Sequence, residues 1–224
     1  MSDNNFKIHP RTDPETKYSN HQRTEIEAAP HAASAHKKTG IGAETYCLKC
    51  DVSKCFFSIN HRILFKQFQK VIADKNILWL LREIIGSFET GNEFDCLFPP
   101  DSPFRNDRPR GIPIGNLTSQ LFVNIYLNAL DQHAKHILKA KYYIRYVDDF
   151  IVLHSDKKYL HDLRNTIQKF LRNNLNLELH PKKQRIFPAS QGIDFLGYVV
   201  FPDYCLLRKS NKENFKKKLR KVKE

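Results

Sequence analysis

Apolar residues recur along this chain with two periods, and the switches between them mark its elements. Tyr46 to Val52 is a short apolar run that predicts a strand. His61–Ile72 follows with helical spacing. Ile77, Leu80, Leu81, Ile84, Ile85 and Phe88 then fit a second helix of period 3.6. A proline-rich loop (Pro99, Pro100, Pro103, Pro109) leads into Gly111-Ile112-Pro113-Ile114-Gly115, and Leu117 to Leu138 predicts one long helix. Tyr142–Val147 and Phe150–His154 are β-rich runs separated only by Asp148-Asp149, a hairpin pattern. A helix over Asp156–Asn173 and short strands near Gln184–Phe187 and Ile193–Val200 complete the middle. From Arg208 to Glu224, Phe215, Leu219 and Val222 sit at helical spacing among lysines, which predicts an amphipathic basic helix. The first 44 residues are polar, rich in His, Ala and Thr, and show no sustained period. They read as loop, as a poorly ordered segment, or as the remnant of something longer. Mixed order with a central hairpin predicts an α+β fold rather than a doubly wound sheet.

Charge sharpens this picture. The 224 residues carry 37 Lys+Arg and 24 Asp+Glu, a formal +13. Nine Lys/Arg against two Glu in the last 17 residues put net +7 on the terminal helix. Hydrophobic residues at 41% and aromatics at 12% exclude a disordered basic tail. Apolar runs such as Ile77–Leu81 are far too short to cross a bilayer, and MSDNNFKIHP has no apolar signal core. Five cysteines, an odd number, predict reduced thiols rather than a disulfide framework. These features predict a soluble, cytoplasmic, folded protein that attracts polyanions and does not enter membranes. They name no activity.

The acids carry more information. Asp148-Asp149 taken alone reads as a turn, since Asp is a good turn former. Asp51 changes that reading, because it ends the first apolar strand. If that strand lies beside the hairpin, three carboxylates share one patch. Such a patch repels itself unless it binds divalent cations.

The strings YCLKCDVSKCFFSIN (46–60), GIPIGNLTSQLFVNIYLNAL (111–130), YIRYVDDFIVL (143–153), LELHPKKQRIF (177–187) and GIDFLGYV (192–199) resemble, in order, the palm motifs of reverse transcriptases. The resemblance covers most of the chain from about Tyr46. It implies a palm domain over 45–204, an antiparallel sheet packed on helices, with incomplete fingers before it. Residues 205–224 would form the basic C-terminal helix that starts a thumb. It implies that Asp51, Asp148 and Asp149 are catalytic and hold two Mg²⁺ ions (or Mn²⁺), with the Val52 carbonyl as a further contact. Phe56 occupies the steric-gate position against a ribose 2′-hydroxyl; core packing is the alternative. Lys183 lies where the family has a lysine near pyrophosphate; the alternative is a solvated loop lysine. Ile114, Gly115 and Gln120 fall in the nucleotide-binding loop. Phe195-Leu196-Gly197-Tyr198 resembles the primer grip, or is ordinary sheet core. Lys216, Lys217, Lys218 and Arg220 would meet nucleic-acid backbone.

The subgroup is narrower. Ile114 where most members carry Gln, and Ser119-Gln120 where most carry Ser-Pro, resemble reverse transcriptases of diversity-generating retroelements. The string IGNLTSQ and the following NIYLN also fit. That resemblance implies bacterial or phage origin, error-prone copying of a template RNA from a primer with deoxynucleotides, and a basic accessory variability protein. The rivals are a group II intron or retron-type enzyme, and a truncated, non-catalytic nucleic-acid-binding remnant. Lys7, Arg11, Arg23, Lys37 and Lys38 form no fingers motif.

Smaller signals take plainer readings. Cys47 and Cys50 sit three apart on a strand and so point to opposite faces, which predicts structural cysteines rather than a metal site. His31, His36, His133 and His136 read as surface residues. Arg145 either touches template or pairs with an acid. Four of the eight glycines (Gly111, Gly115, Gly192, Gly197) fall in the matched motifs.

Overall fold

Strand β1 (Tyr46–Asp51) is the centre of the molecule, because both of its faces are covered. In the computed structural model, which describes residues 45–89 and 109–222, it lies between β3 (Asp149–His154) and β4 (Arg185–Pro188), antiparallel to both. With β2 (Tyr142–Tyr146) they make a four-stranded sheet of order β2-β3-β1-β4. The pleat sorts its side chains. Leu48, Cys50, Phe150 and Val152 face the helices, whereas Cys47, Ile151 and Leu153 face a second, smaller sheet. Every one of these residues is at most 5% exposed.

The helices pack on the first of those faces. A short α1 (Cys55–Ser58) leads into α2 (His61–Gln69), capped by the Asn60 side chain, and α3 (Lys75–Gly86), capped by Asp74. Next, α4 (Leu117–Gln132) runs straight into one wider, π-helical turn, His133–Ile137. The long helix expected to reach Leu138 therefore closes differently. Leu138 N–H bonds back to the His133 carbonyl, and Lys139 takes a left-handed φ of 52°. After the hairpin, α5 (Lys157–Leu175) buries Leu160, Leu163, Ile167, Leu171 and Leu175 against the sheet. The Tyr126 hydroxyl donates to the Leu175 carbonyl at 2.6 Å, tying α4 to the end of α5.

The small sheet has order β5-β6-β7, from Ile193–Phe195, Tyr198–Val200 and Cys205–Leu207. The short strands expected near Ile193–Val200 form a hairpin, at the place where the sequence resembles the primer grip. Its turn is Leu196-Gly197, both with positive φ (52° and 83°). Residues 205–207, expected within the terminal helix, pair with β6 instead, and α6 (Lys209–Val222) follows. The prolines at 99, 100 and 103 and the segment 1–44 lie outside the described residues. The fold is α+β, antiparallel sheets packed with helices, as the order of elements predicts. Among the described residues no helix is long and apolar enough to cross a membrane.

Candidate active site

Register brings the predicted acids together. Asp51 is the last residue of β1 and pairs directly with Asp149, the first residue of β3. Directly paired residues share a face, so both carboxylates leave the sheet on the side of Ile151 and Leu153. Asp148 occupies the two-residue turn with Val147, so the hairpin turns one residue earlier than the sequence pattern suggests. The turn is tied to β1, where Val52 N–H donates to the Asp148 carbonyl at 3.1 Å.

The electrostatics follow from this crowding. Burial raises the Asp148 pKa above its ordinary value, and the charges of Asp51 and Asp149 push it the same way. Burial likewise raises Asp149; Lys49 opposes the shift and Asp51 adds to it. Lys183 answers the negative charge. Its Nζ donates to Asp51 Oδ2 at 2.8 Å, and this bond raises the lysine pKa. The ammonium is set by a backbone hook: His180 N–H bonds to the Asp51 carbonyl (2.8 Å), and Lys183 N–H bonds to the His180 carbonyl (3.1 Å). The Lys183 side chain is 60% exposed against 13% for Asp51, so the pair opens to solvent on the lysine side.

The nucleotide-loop residues lie beside α1. Gly111 N–H bonds to the Ile59 carbonyl and Ile112 N–H to the Phe56 carbonyl, each at 2.8 Å. His61, buried with its pKa lowered by burial, donates as a neutral imidazole to the Gly111 carbonyl at 2.6 Å. Histidine is therefore not uniformly a surface residue in this chain. His133, expected at the surface, is half-buried and stacks on Phe170 with ring centroids 4.0 Å apart. Beyond the anchored stretch the loop turns outward at Ile114, which is 64% exposed, and Gln120 lies exposed in the first turns of α4 rather than in the loop. Gly115 has φ 95° with open space where a Cβ would stand, so backbone conformation alone calls for glycine. Phe56 is half-buried against the helical core.

Of the primer-grip residues, Phe195 is 1% exposed in the core between the sheets, Leu196 and Gly197 form the turn, and Tyr198 is 41% exposed. The basic helix docks on that turn, with Arg208 N–H and Asn211 Nδ2 donating to the Gly197 carbonyl at 2.9 and 3.3 Å, and Arg208 ion-paired with Asp194. Lys216, Lys217, Lys218 and Arg220 are exposed along α6. Cys47 and Cys50 point to opposite faces of β1, as their spacing predicts, and burial pushes both thiols up to about 12.

Arg145 pairs with an acid. Its side chain, 3% exposed, makes a bidentate bond to Asp131 (2.8 and 2.6 Å) and reaches Asn124 and the Val147 carbonyl. Sequence reasoning did not single out Asp131, Asn124 or Tyr143. The available signal was spacing: Asn124 and Asp131 lie seven residues apart on one helix face, and Tyr143 and Arg145 lie two apart on one strand face.

Residues 7–200 match the profile of the reverse transcriptase (RNA-dependent DNA polymerase) family. The chain belongs to that family. It is 23% identical over 218 aligned positions to the putative COX1/OXI3 intron 2 protein of Saccharomyces cerevisiae, covering 69% of this chain and 24% of that protein. Protein YkfC of Escherichia coli is 26% identical over 187 positions, covering 68% of this chain and 46% of the relative. The chain thus spans less than half the length of either. Among solved structures, apo telomerase from Candida tropicalis, truncated from its C-terminal domain, superposes with a TM-score of 0.59 at 16% identity, covering 86% of this chain and 42% of that one. Telomerase from Candida albicans in complex with a fragment of telomeric RNA gives 0.60 at 15% identity, covering 87% and 37%. These likenesses show a shared fold.

Reverse transcriptase domains are in general metal-dependent. The donor set here suits a hard divalent cation: Asp51 and Asp149 on one sheet face with Asp148 in the adjoining turn, the last two with raised pKa values. Among the described residues no three such side chains already converge at metal distance. Asp51 is instead ion-paired with Lys183.

Proposed function

We propose that this chain carries the catalytic palm of an RNA-directed DNA polymerase, extending a primer 3′ end with deoxynucleotides on an RNA template. The observation that carries this reading is the direct pairing of Asp51 with Asp149, with Asp148 beside them in the turn, inside the family match. Asp51, Asp148 and Asp149 hold the cations, and the Val52 carbonyl extends the donor set. When bound, a pair of Mg²⁺ ions, or Mn²⁺ in their place, activates the attacking 3′-hydroxyl and neutralises charge on the leaving pyrophosphate.

The remaining roles fall to the chain's own groups. Lys183 keeps a proton at Nζ beside Asp51 and passes it toward the pyrophosphate oxygen. The Phe56 ring excludes a ribose 2′-hydroxyl, while Ile114, Gly115 and Gln120 line the incoming nucleotide. Phe195-Leu196-Gly197-Tyr198 supports the primer end. Lys216, Lys217, Lys218 and Arg220 contact phosphates without reading bases.

Within the family we assign the chain to the diversity-generating retroelement type, on Ile114 and Ser119-Gln120. The β-branched Ile114 side chain offers no hydrogen bond where Gln would offer two kinds, so a polar check on the incoming base is lost. An accessory basic protein belongs to this reading. Replacing Ile114→Gln should lower errors at template adenines; an unchanged error rate there rejects this role for Ile114.

Template–primer extension with labelled deoxynucleotides tests the main reading. Extension that disappears in Asp148→Ala supports it. RNA binding without extension at any Mg²⁺ concentration favours a non-catalytic remnant instead.

A further inference from the structure

The catalytic turn is gripped from behind. Asp51 and Asp149 leave the sheet on one face, while Tyr143 and Arg145 leave β2 on the other, opposite Val152 and Phe150, toward α4. From there Arg145 Nη1 donates to the Val147 carbonyl at 2.6 Å, one residue before Asp148. The same nitrogen bonds Asn124 Oδ1 at 3.0 Å. Nε and Nη2 hold the two oxygens of Asp131 at 2.8 and 2.6 Å, and the Tyr143 hydroxyl donates to Asp131 Oδ1 at 2.8 Å. A guanidinium so fixed has no freedom left to follow a moving partner.

Val147 explains why such a grip is needed. It is β-branched, yet its φ is 53°, a left-handed conformation that such residues avoid. A turn of this kind persists only where its surroundings hold it. Two tethers do so among the described residues: Val52 N–H on the Asp148 carbonyl, and Arg145 on the Val147 carbonyl. The second is the side-chain one, and it reaches back to two residues of α4.

We infer that Arg145, held by Asp131, Asn124 and Tyr143, is a positioning residue that fixes the strained Val147–Asp148 turn and so aims the two carboxylates. Its guanidinium bonds are made to Asp131, Asn124 and the Val147 carbonyl. This rests on the polymerase reading only for its kinetic consequence; the geometry of the turn is a separate observable.

The test uses the full chain, Arg145→Lys (with Asp131→Asn as a second variant of unchanged shape, should the first not fold), and two measurements. Amide hydrogen exchange is followed at residues 147–149 against the β1–β3 core. Single-nucleotide extension is followed for kcat and for the KM of the deoxynucleotide. The inference predicts at least about tenfold faster exchange at the turn with the core unchanged. It predicts a kcat reduced about 10–100-fold, as for other supports of metal-ligand groups, with KM within about twofold. Adding Val147→Gly, which takes positive φ readily, should recover at least about threefold of the lost kcat. Equal exchange at the turn overturns the inference whatever the kinetics. So does a folded Arg145→Lys with undiminished kcat, or a loss confined to KM. A wild-type chain that extends no primer overturns the polymerase reading, and the exchange measurement still decides the role of Arg145.

Discussion

The β1–β3 ladder and the β7–α6 arm meet opposite demands, and their packing differs accordingly. Along β1 and β3, Leu48, Cys50 and Phe150 are fully buried, with helices on one side and the small sheet on the other. Every residue of β7 is exposed, and on α6 even Phe215 and Leu219 are 63% and 47% exposed. On the proposed reading, the ladder sets carboxylates whose relative positions must be held to within about 0.5 Å. The arm presents lysines whose attraction to phosphate falls off gradually over roughly 8–10 Å at physiological salt. A close-packed interior gives the first kind of precision. A solvated helix on a few hydrogen bonds suffices for the second.

The comparison can be broken most readily through stability. Phe150→Ala should destabilise the fold by about 3–5 kcal/mol, whereas Phe215→Ala should change it by less than about 0.5 kcal/mol; chemical denaturation of both variants measures the contrast. Gly192→Ala locates the boundary between the regions. Gly192 has φ 84°, and an added Cβ would meet Phe201 Cζ and Val199 Cγ1 at 2.7 Å each. A loss of about 1–3 kcal/mol places the small sheet with the rigid region, and no loss extends the loose arm back to β5.

A smaller effect comes from the acids themselves. The pKa values of Asp148 and Asp149 are raised on folding, so the folded state binds their protons more tightly than the unfolded chain does. Their ionisation therefore destabilises the metal-free protein above the raised pKa values, and the penalty is relieved as pH falls through them. Asp148→Asn should raise the melting temperature at neutral pH, and its advantage should shrink toward acid pH. Added Mg²⁺ should raise the melting temperature of the wild type and not that of the variant. The smallest effect belongs to the arm: replacing Lys216, Lys217 and Lys218 by Gln should flatten the salt dependence of nucleic-acid binding by roughly 2–3 in log–log slope, with nucleotide preference unchanged.

The same contrast explains what the sequence revealed. A period of 3.6 exists where one face of a helix is buried, and a continuous apolar run where both faces of a strand are covered, so α4, α5, β1 and the β2–β3 hairpin were legible. Strand β7 is three residues with no buried face, so no pattern marked it. The family resemblance, rather than local pattern, pointed to the hairpin between β5 and β6, because Leu196 takes a left-handed turn position that branched and bulky residues seldom occupy. The juxtaposition of Asp51 with Asp149 depended on pairing across about a hundred residues, which composition and period do not encode. The motif order of the family supplied it. The motifs also pointed to Lys183 but not to its bond with Asp51, and they were silent on Asp131, whose role appears only once α4 lies against β2.

We propose that Asp51, Asp148 and Asp149 form one cation-dependent centre for RNA-templated DNA synthesis. Extension of a DNA primer on an RNA template, with Mg²⁺ titrated for wild type and for a folded Asp148→Asn, tests it most directly. The account predicts Mg²⁺-dependent extension by the wild type and a loss of at least about a hundredfold in the variant. Equal extension by the two proteins, or extension that persists in a chelator, would contradict it.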